Sequence, residues 1–532
     1  MVSFFQLRAF WIDLVDLDER SFYFYQMPII NQNFAYSFSI LLLLFSFPGL
    51  IKAQAHMAGD IVTEKRSAKT PDGASVEYEI GSFYVPENRN NPNSRIIGVG
   101  FARLRGAKGS GKTPVFLLPG GPGESALTNF TKSDPASQRR LANFIKYYNS
   151  VGDLVVIDQR GFSDFGEKLM FSMPELRLDK PRSLADETAA LKQAAREAVK
   201  ANAGKDLAGY TLTQCAADVD DLRKALGYDK IILTGQSFGS QWSLAVIKLF
   251  PDTVERAQLS ANEPLDNAYD MPSHIFASIQ RITRDADADP ALARYFPKGG
   301  MIEAIKAVNE RLAAMPVTVT VKDGKTGRDI RIVLGVEDFR ESLLTSAVEL
   351  PALVASLYHK HYDEWARDRI GARKAFAEPS ALIGPLIDTS LGVSPARERL
   401  LRTDPAAGIL GLGAFETYID SAADWPTPDL GDEFRSALPS KIPVMFVHGD
   451  WDTSTPLDNA LALLPYFRNS HLTIVHRGSH GARKEALDYS APLLEKVIEF
   501  LKTGELDGIP VEVTLPVPEF KKPGFAVPKI SS

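Results

Sequence analysis

Short apolar runs alternate along the chain with longer amphipathic stretches, and each run stops at a turn-forming sequence. TPVFLL at 113–118, DLVVI at 153–157, KIILT at 230–234 and IPVMFV at 442–447 are too short for helices and apolar almost throughout, the pattern of strands buried on both faces of a sheet. Residues 75–85 and 94–104 read as strands separated by a polar turn, and 256–260 and 471–475 as further strands. Between them, 138–148, 183–203 and 212–226 carry the 3.6-residue periodicity of helices, and 491–502 predicts a closing helix. Strands alternating with helices predict an α/β protein with a mostly parallel central sheet and helices on both faces. The rhythm breaks over 264–438, which reads as mainly helical apart from one hairpin, 317–321 and 329–333. We read that stretch as an inserted cap over the strand ends, where ligands of open parallel sheets bind. The domain reading is therefore 1–55 a leader, 56–263 the first part of the core, 264–438 the cap, and 439–532 the second part of the core with a Pro-rich surface tail from 509.

Composition adds exclusions. At 532 residues the chain is long enough for a core plus a large insertion, and a net charge of −6 is too mild and of the wrong sign for a nucleic-acid surface. Cys215 is the one cysteine, so neither an intrachain disulfide nor a cysteine-built metal site is available, and its place in a helical stretch predicts a small buried residue. Near the N-terminus, FSILLLLFSFPGLI at 38–51 precedes Ala53-Gln54-Ala55. An apolar core of this length before an A-x-A site is a secretory signal, too short to span a bilayer. Cleavage is expected after Ala55, with Met27 as an alternative start, leaving a secreted or periplasmic protein without stable membrane insertion.

The candidate chemistry centres on KIILTGQSFGS at 230–240, in which a buried strand, a Gly-flanked serine and a helix follow in the order of a nucleophile elbow. Ser237 is the candidate nucleophile. Its base needs to come late in the chain, after an orienting carboxylate. His480, in the small-residue loop GSHG, is assigned as the base, with His476 as the alternative. Asp450 and Asp452 both follow the 442–447 strand; Asp452 is preferred because Gly449 makes the turn and the residue three later points back across the strand ends. The oxyanion hole is expected from the N–H of Phe238 and a second N–H at Gly120 or Gly121, with Gly121 chosen. His359-Lys360-His361 beside Asp363 and Glu364 reads as a solvated helical face rather than a metal site. Asn129-Phe130-Thr131 is a glycosylation sequon.

Taken jointly, GGPGES at 120–125, DQRG at 158–161, the stretch 218–240, GDWDTSTP at 449–456 and GSHG at 478–481 resemble the proline iminopeptidase and tripeptidyl aminopeptidase branch of the α/β-hydrolases. The resemblance spans nearly all of the chain outside the leader and the insertion. It implies the α/β-hydrolase fold, a Ser237–Asp452–His480 triad, no metal or organic cofactor, and a peptide substrate with a free N-terminus, held by acidic residues partly from the cap. Glu263, Glu416 and Glu124 are candidates for that grip. Pro119 stands where many iminopeptidases have His, and Phe238 where Trp or Tyr is common, which weakens strict proline specificity. The expectation is an exported serine aminopeptidase acting through an acyl-enzyme. The alternatives are a carboxylesterase or lipase on the same triad, and a catalytically silent binding fold; dehalogenases and epoxide hydrolases carry Asp at the elbow, where this chain has Ser237.

Overall fold

Period-two alternation along the buried strands explains the layers seen in the computed structural model, which describes residues 56–527 apart from 70–74, 133, 267, 325 and 414. The leader reading, with its cleavage site, lies outside the described residues. In chain order the strands are β1 (Ile61–Lys69), β2 (Ser75–Pro86), β3 (Ile96–Leu104), β4 (Val115–Leu118), β5 (Leu154–Ile157), β6 (Met170–Phe171), β7 (Ile231–Gln236), β8 (Val254–Ser260), β9 (Val317–Lys322), β10 (Asp329–Leu334), β11 (Ser380–Ala381), β12 (Val444–Gly449), β13 (Ser470–His476) and β14 (Glu512–Thr514). Ten of them form one sheet in the order β1-β2-β3-β5-β4-β7-β8-β12-β13-β14. The pairs β1–β2, β2–β3 and β3–β5 are antiparallel, and from β5 to β14 every pair is parallel.

Each central strand feeds two cores. β4 turns Phe116 and Leu118 to one face and Val115 and Leu117 to the other; β12 divides Val444 and Phe446 from Met445 and Val447 in the same way. Helices Leu184–Ala201, Leu212–Ala225 and Phe238–Leu249 cover the first face, with Cys215 buried among them. Helices Pro135–Tyr148, Ala482–Tyr489 and Ala491–Thr503 cover the second. This is the α/β-hydrolase fold.

Within 264–438, helices Pro272–Ala288, Gly300–Ala314, Leu350–Tyr358 and Asp363–Phe376 enclose a third core with the β9–β10 hairpin, around Ile279, Ile305, Leu334 and Phe339. Other helices of the same stretch, Ile383–Leu391 and Glu416–Ser421, pack Leu386, Ile387 and Tyr418 into the first core and so join the insertion to the sheet.

Three readings differ from the structure. β1 is an extra edge strand whose sequence, IVTEKRSAK, lacks an apolar stripe; it is held by backbone pairing with β2, and its charges suit a sheet edge. The tail does not simply lie on the surface: β14 extends the sheet beside β13, and Phe520 beyond it is buried against Trp451 at a ring distance of 6.2 Å. Finally, His359 and His361 lie not on a helical face but in the turn after Leu350–Tyr358, where Lys360 has φ 65°. His359 Nε2 is 2.8 Å from Tyr295 O, and His361 stacks on Phe525 of the tail. Among the described residues no cluster of His, Cys, Asp and Glu is arranged to hold a metal, and no helix is long and apolar enough to cross a membrane.

Candidate active site

β7 ends at Gln236 and the next helix starts at Phe238, so Ser237 alone makes the reversal. It does so at φ 58° and ψ −131°, a conformation that costs a non-glycine residue about 1–3 kcal/mol. Surrounding backbone holds it there. Ser237 N–H donates to Ser260 O and Ala261 O, both at 3.1 Å, and Ser237 O accepts the Ser240 N–H and hydroxyl, both at 2.7 Å. A Cβ on Gly235 would stand 2.1 Å from Gly239 O, and one on Gly239 would stand 2.2 Å from Leu118 O. Neither position has room for a side chain, which gives the G-x-S-x-G spacing a steric cause. The helix behind Ser237 points its N-terminus, and the positive end of its dipole, toward the serine.

Asp452 lies past the end of β12 and is 1 % exposed. Its Oδ1 accepts the N–H groups of Ser454 (2.9 Å) and Thr455 (3.0 Å), and its Oδ2 accepts the Thr455 hydroxyl at 2.6 Å. His480 Nδ1 stands 3.0 Å from the same Oδ2. Burial disfavours the carboxylate, but the His480 imidazole and the Thr455 hydroxyl outweigh it and bring the pKa down to about 2. Beneath this turn, Asn262 N–H donates to His448 Nδ1 at 3.2 Å, which leaves His448 Nε2–H to donate to Thr455 O at 2.7 Å. Burial lowers the His448 pKa, in keeping with this neutral tautomer.

The histidine loop is tied to the elbow, since the Gln236 amide donates to His480 O at 3.0 Å. Burial acts to lower the His480 pKa, but Asp452 first, then Glu263 and Glu124, raise it above the ordinary value. The structure therefore brings Ser237, Asp452 and His480 to one end of the parallel sheet. The alternative residues pair separately: His476 Nδ1 is 2.8 Å from Asp450 Oδ2, and Asp450 Oδ1 accepts the Arg477 N–H at 2.8 Å.

The 120–123 loop follows β4, the neighbour of β7, and a Cβ on Gly120 would lie 3.4 Å from Gln236 O, so the loop rests against the elbow. Among the described residues neither the Gly121 nor the Phe238 N–H is given to another protein group.

Acidic groups gather around the imidazole. Glu263, fully buried after β8, and Glu124, next to the oxyanion loop, both act on His480, and burial raises the pKa of each. Asp388, on the cap helix Ile383–Leu391, is 5 % exposed and senses Glu263; burial pushes its pKa well up. Glu416 lies elsewhere, 3.8 Å from Arg402. Asp388 escaped the sequence reading because nothing in GPLIDTS marks it as more than one residue of an amphipathic helix. The sequon's Asn129 is buried, its amide donating to Ala126 O and accepting from Arg140. A cavity of about 580 Å³ lies between the cap and the core, lined by Trp365, Arg369, Phe376 and Tyr418 with Phe171 and Leu191, and by none of the three triad residues.

Residues 414–512 match the family model of the TAP-like proteins, a group of α/β-hydrolases. No curated protein sequence matches the chain. Solved structures similar to it include a serine hydrolase from Cycloclasticus zankles (12% identity, 80% of this chain and 100% of that one, TM-score 0.33). An esterase from Exiguobacterium antarcticum (12%, 79% and 98%, TM-score 0.34) and a 2-hydroxy-6-oxo-6-phenylhexa-2,4-dienoate hydrolase from Rhodococcus sp. strain RHA1 (15%, 79% and 99%, TM-score 0.32) are also similar. At these scores none of them bears on the substrate.

Proposed function

We propose that the protein is an exported serine aminopeptidase, which releases N-terminal residues from peptides through an acyl-enzyme. One observation carries the reading: buried acidic groups gather beside a strained serine, Glu263 and Glu124 acting on the His480 of the Asp452–His480 pair and Asp388 coupled to Glu263. Carboxylates in so desolvated a place suit a cationic ligand, and the ammonium of a peptide N-terminus is a cation at a fixed distance from the first peptide bonds. In this mechanism His480 Nε2 takes the proton of Ser237 as Oγ bonds to the scissile carbonyl carbon. The Phe238 and Gly121 N–H groups hold the resulting oxyanion. Collapse breaks the C–N bond, and the proton passes from His480 to the leaving amine. Water, deprotonated by His480, then releases the acyl group and restores Ser237. Asp452 keeps Nδ1 protonated throughout.

The test is hydrolysis of prolyl, alanyl and tripeptidyl amides, each with free and blocked amino groups, by wild type and Ser237→Ala, with a short-chain ester alongside. Turnover of free amides only, lost in Ser237→Ala, supports the aminopeptidase. Ser237-dependent cleavage of the ester alone makes the protein an esterase instead, and absence of any Ser237-dependent turnover removes the hydrolase reading.

A further inference from the structure

The loop that carries Gly121 is held from outside at two points, and one side chain makes both. Gln159 Oε1 accepts the Gly123 N–H at 2.6 Å, and Gln159 Nε2 donates to Gly120 O at 2.7 Å. Among the described residues no other hydrogen bond ties the backbone of 120–123 to the rest of the protein. Gly121 sits between the clamped positions at φ 111°, and Gly123 is at φ 101°. A Cβ on Gly121 would lie 2.5 Å from Gly123 N, so the turn is as tight as the backbone allows.

Gln159 is itself immobilised. It is fully buried, and its two neighbours are anchored in different directions. Asp158 accepts the Ser125 hydroxyl at 2.6 Å, just past the loop. Arg160 makes a two-bond contact with Asp218 at 2.8 and 2.6 Å and donates to Glu87 O and Gly209 O at 2.5 and 2.7 Å. Its guanidinium is thus fixed deep under the sheet end, and the backbone of 158–160 with it.

We propose that Gln159 is a positioning residue, whose side-chain amide sets the Gly121 N–H where the oxyanion forms. This rests on the reading of Ser237 as an acyl-transfer nucleophile, whether the substrate is an amide or an ester. An amide is needed because one bond requires an acceptor and the other a donor, 2.6 and 2.7 Å from groups of opposite kind. A carboxylate of the same shape keeps the bond to Gly123 N–H but sets an anion against Gly120 O. Among the described residues the hydrogen bonds of the Gln159 side chain go to Gly120 and Gly123 and not to Ser237, so its removal should leave ground-state binding in place and displace a donor needed in the transition state.

The experiment compares Gln159→Glu and Gln159→Leu with wild type and Ser237→Ala. Substrates are a tripeptide p-nitroanilide with a free amino group and p-nitrophenyl acetate, and a fluorophosphonate reports labelling of Ser237. We expect kcat on the substrate that wild type turns over to fall about 10²-fold in both variants, the scale of a misplaced oxyanion donor, with KM within about threefold. A peptidyl trifluoromethyl ketone, which forms a tetrahedral adduct, should lose affinity by the same factor as kcat/KM. A kcat within twofold of wild type in Gln159→Glu overturns the proposal. So does a loss of activity that follows a lowered melting temperature with ketone affinity unchanged. Where Gln159→Leu fails to fold, Gln159→Glu decides. Wild type that is neither labelled at Ser237 nor active on either substrate overturns the nucleophile reading, and this proposal with it; turnover of the ester alone leaves the positioning test intact.

Discussion

Replacing Asp452 by Asn separates the two aspartates of the β12 turn more sharply than any other single change. The carboxylate receives four donors: two backbone N–H groups and the Thr455 hydroxyl, at 2.6–3.0 Å, and His480 Nδ1 at 3.0 Å. An Asn keeps its oxygen where the two N–H groups of Ser454 and Thr455 point, because only an oxygen accepts them. Its Nδ2 then faces His480 Nδ1, and two donors cannot share that contact. The imidazole relaxes to the tautomer with the proton on Nε2, which cannot take the proton of Ser237. Where a triad acid has been changed to its amide, kcat falls about 10⁴-fold, equivalent to about 5 kcal/mol in the barrier. Asp450→Asn disturbs the His476 pair and the Arg477 N–H contact instead, away from the nucleophile, and should leave kcat within about tenfold. Both variants are assayed at saturating substrate from pH 6 to 9, with fluorophosphonate labelling of Ser237 as a check that the site is assembled. The reasoning is refuted if Asp452→Asn keeps more than a tenth of wild-type kcat, or if Asp450→Asn loses as much as Asp452→Asn.

Other outcomes follow from the surrounding groups. Glu263→Gln and Asp388→Asn should each raise KM for free-amino peptides about 10- to 10²-fold, the scale of one charge-assisted hydrogen bond, with ester turnover above the acid limb of the pH profile nearly unchanged; steady-state kinetics on both substrates checks it. Because Asp452, Glu263 and Glu124 raise the His480 pKa, the acid limb of the kcat/KM profile should have its midpoint above 6.5, activity rising with pH as the imidazole loses its proton, and Glu124→Gln should move that midpoint downward. Phe520→Ala opens a hole under Trp451, the neighbour of Asp452, and should destabilise the protein by about 3–5 kcal/mol in urea unfolding.

Those parts of the fold were legible whose cause is local. β4, β5, β7 and β12 announce themselves because both faces are covered, so each carries a short run of consecutive apolar residues that stops where the turn residues begin. The elbow is readable for the same reason: Gly235 and Gly239 are demanded by backbone contacts within a few residues of Ser237 and at the end of β4. β1 was missed because its stability comes from backbone pairing with β2 and not from side-chain pattern. The buried tail was missed because its anchor is one phenylalanine whose partner, Trp451, lies about 70 residues earlier in the chain. Asp388 was invisible for a related reason. Its meaning comes from burial beside Glu263, and burial of a single polar residue on a cap helix leaves no periodic trace.

The carboxylates near His480 set up a tension within the site. Negative charge at Glu263 and Glu124 stabilises the imidazolium and so raises the His480 pKa. Burial opposes that charge by raising the pKa of both glutamates, and of Asp388, which is coupled to Glu263. A bound ammonium resolves both effects together: it stabilises the buried carboxylates as anions and cancels their field at the imidazole. Binding of a free N-terminus would then lower the His480 pKa toward the value set by Asp452 alone, and the base would be released when a substrate with the right end arrives. A neutral blocked peptide would supply no such compensation, so it would meet both a poorer grip and an imidazole of higher pKa. On this reading, discrimination between free and blocked substrates extends into the chemical step, since the charge that recognises the amino group is the charge that tunes the base.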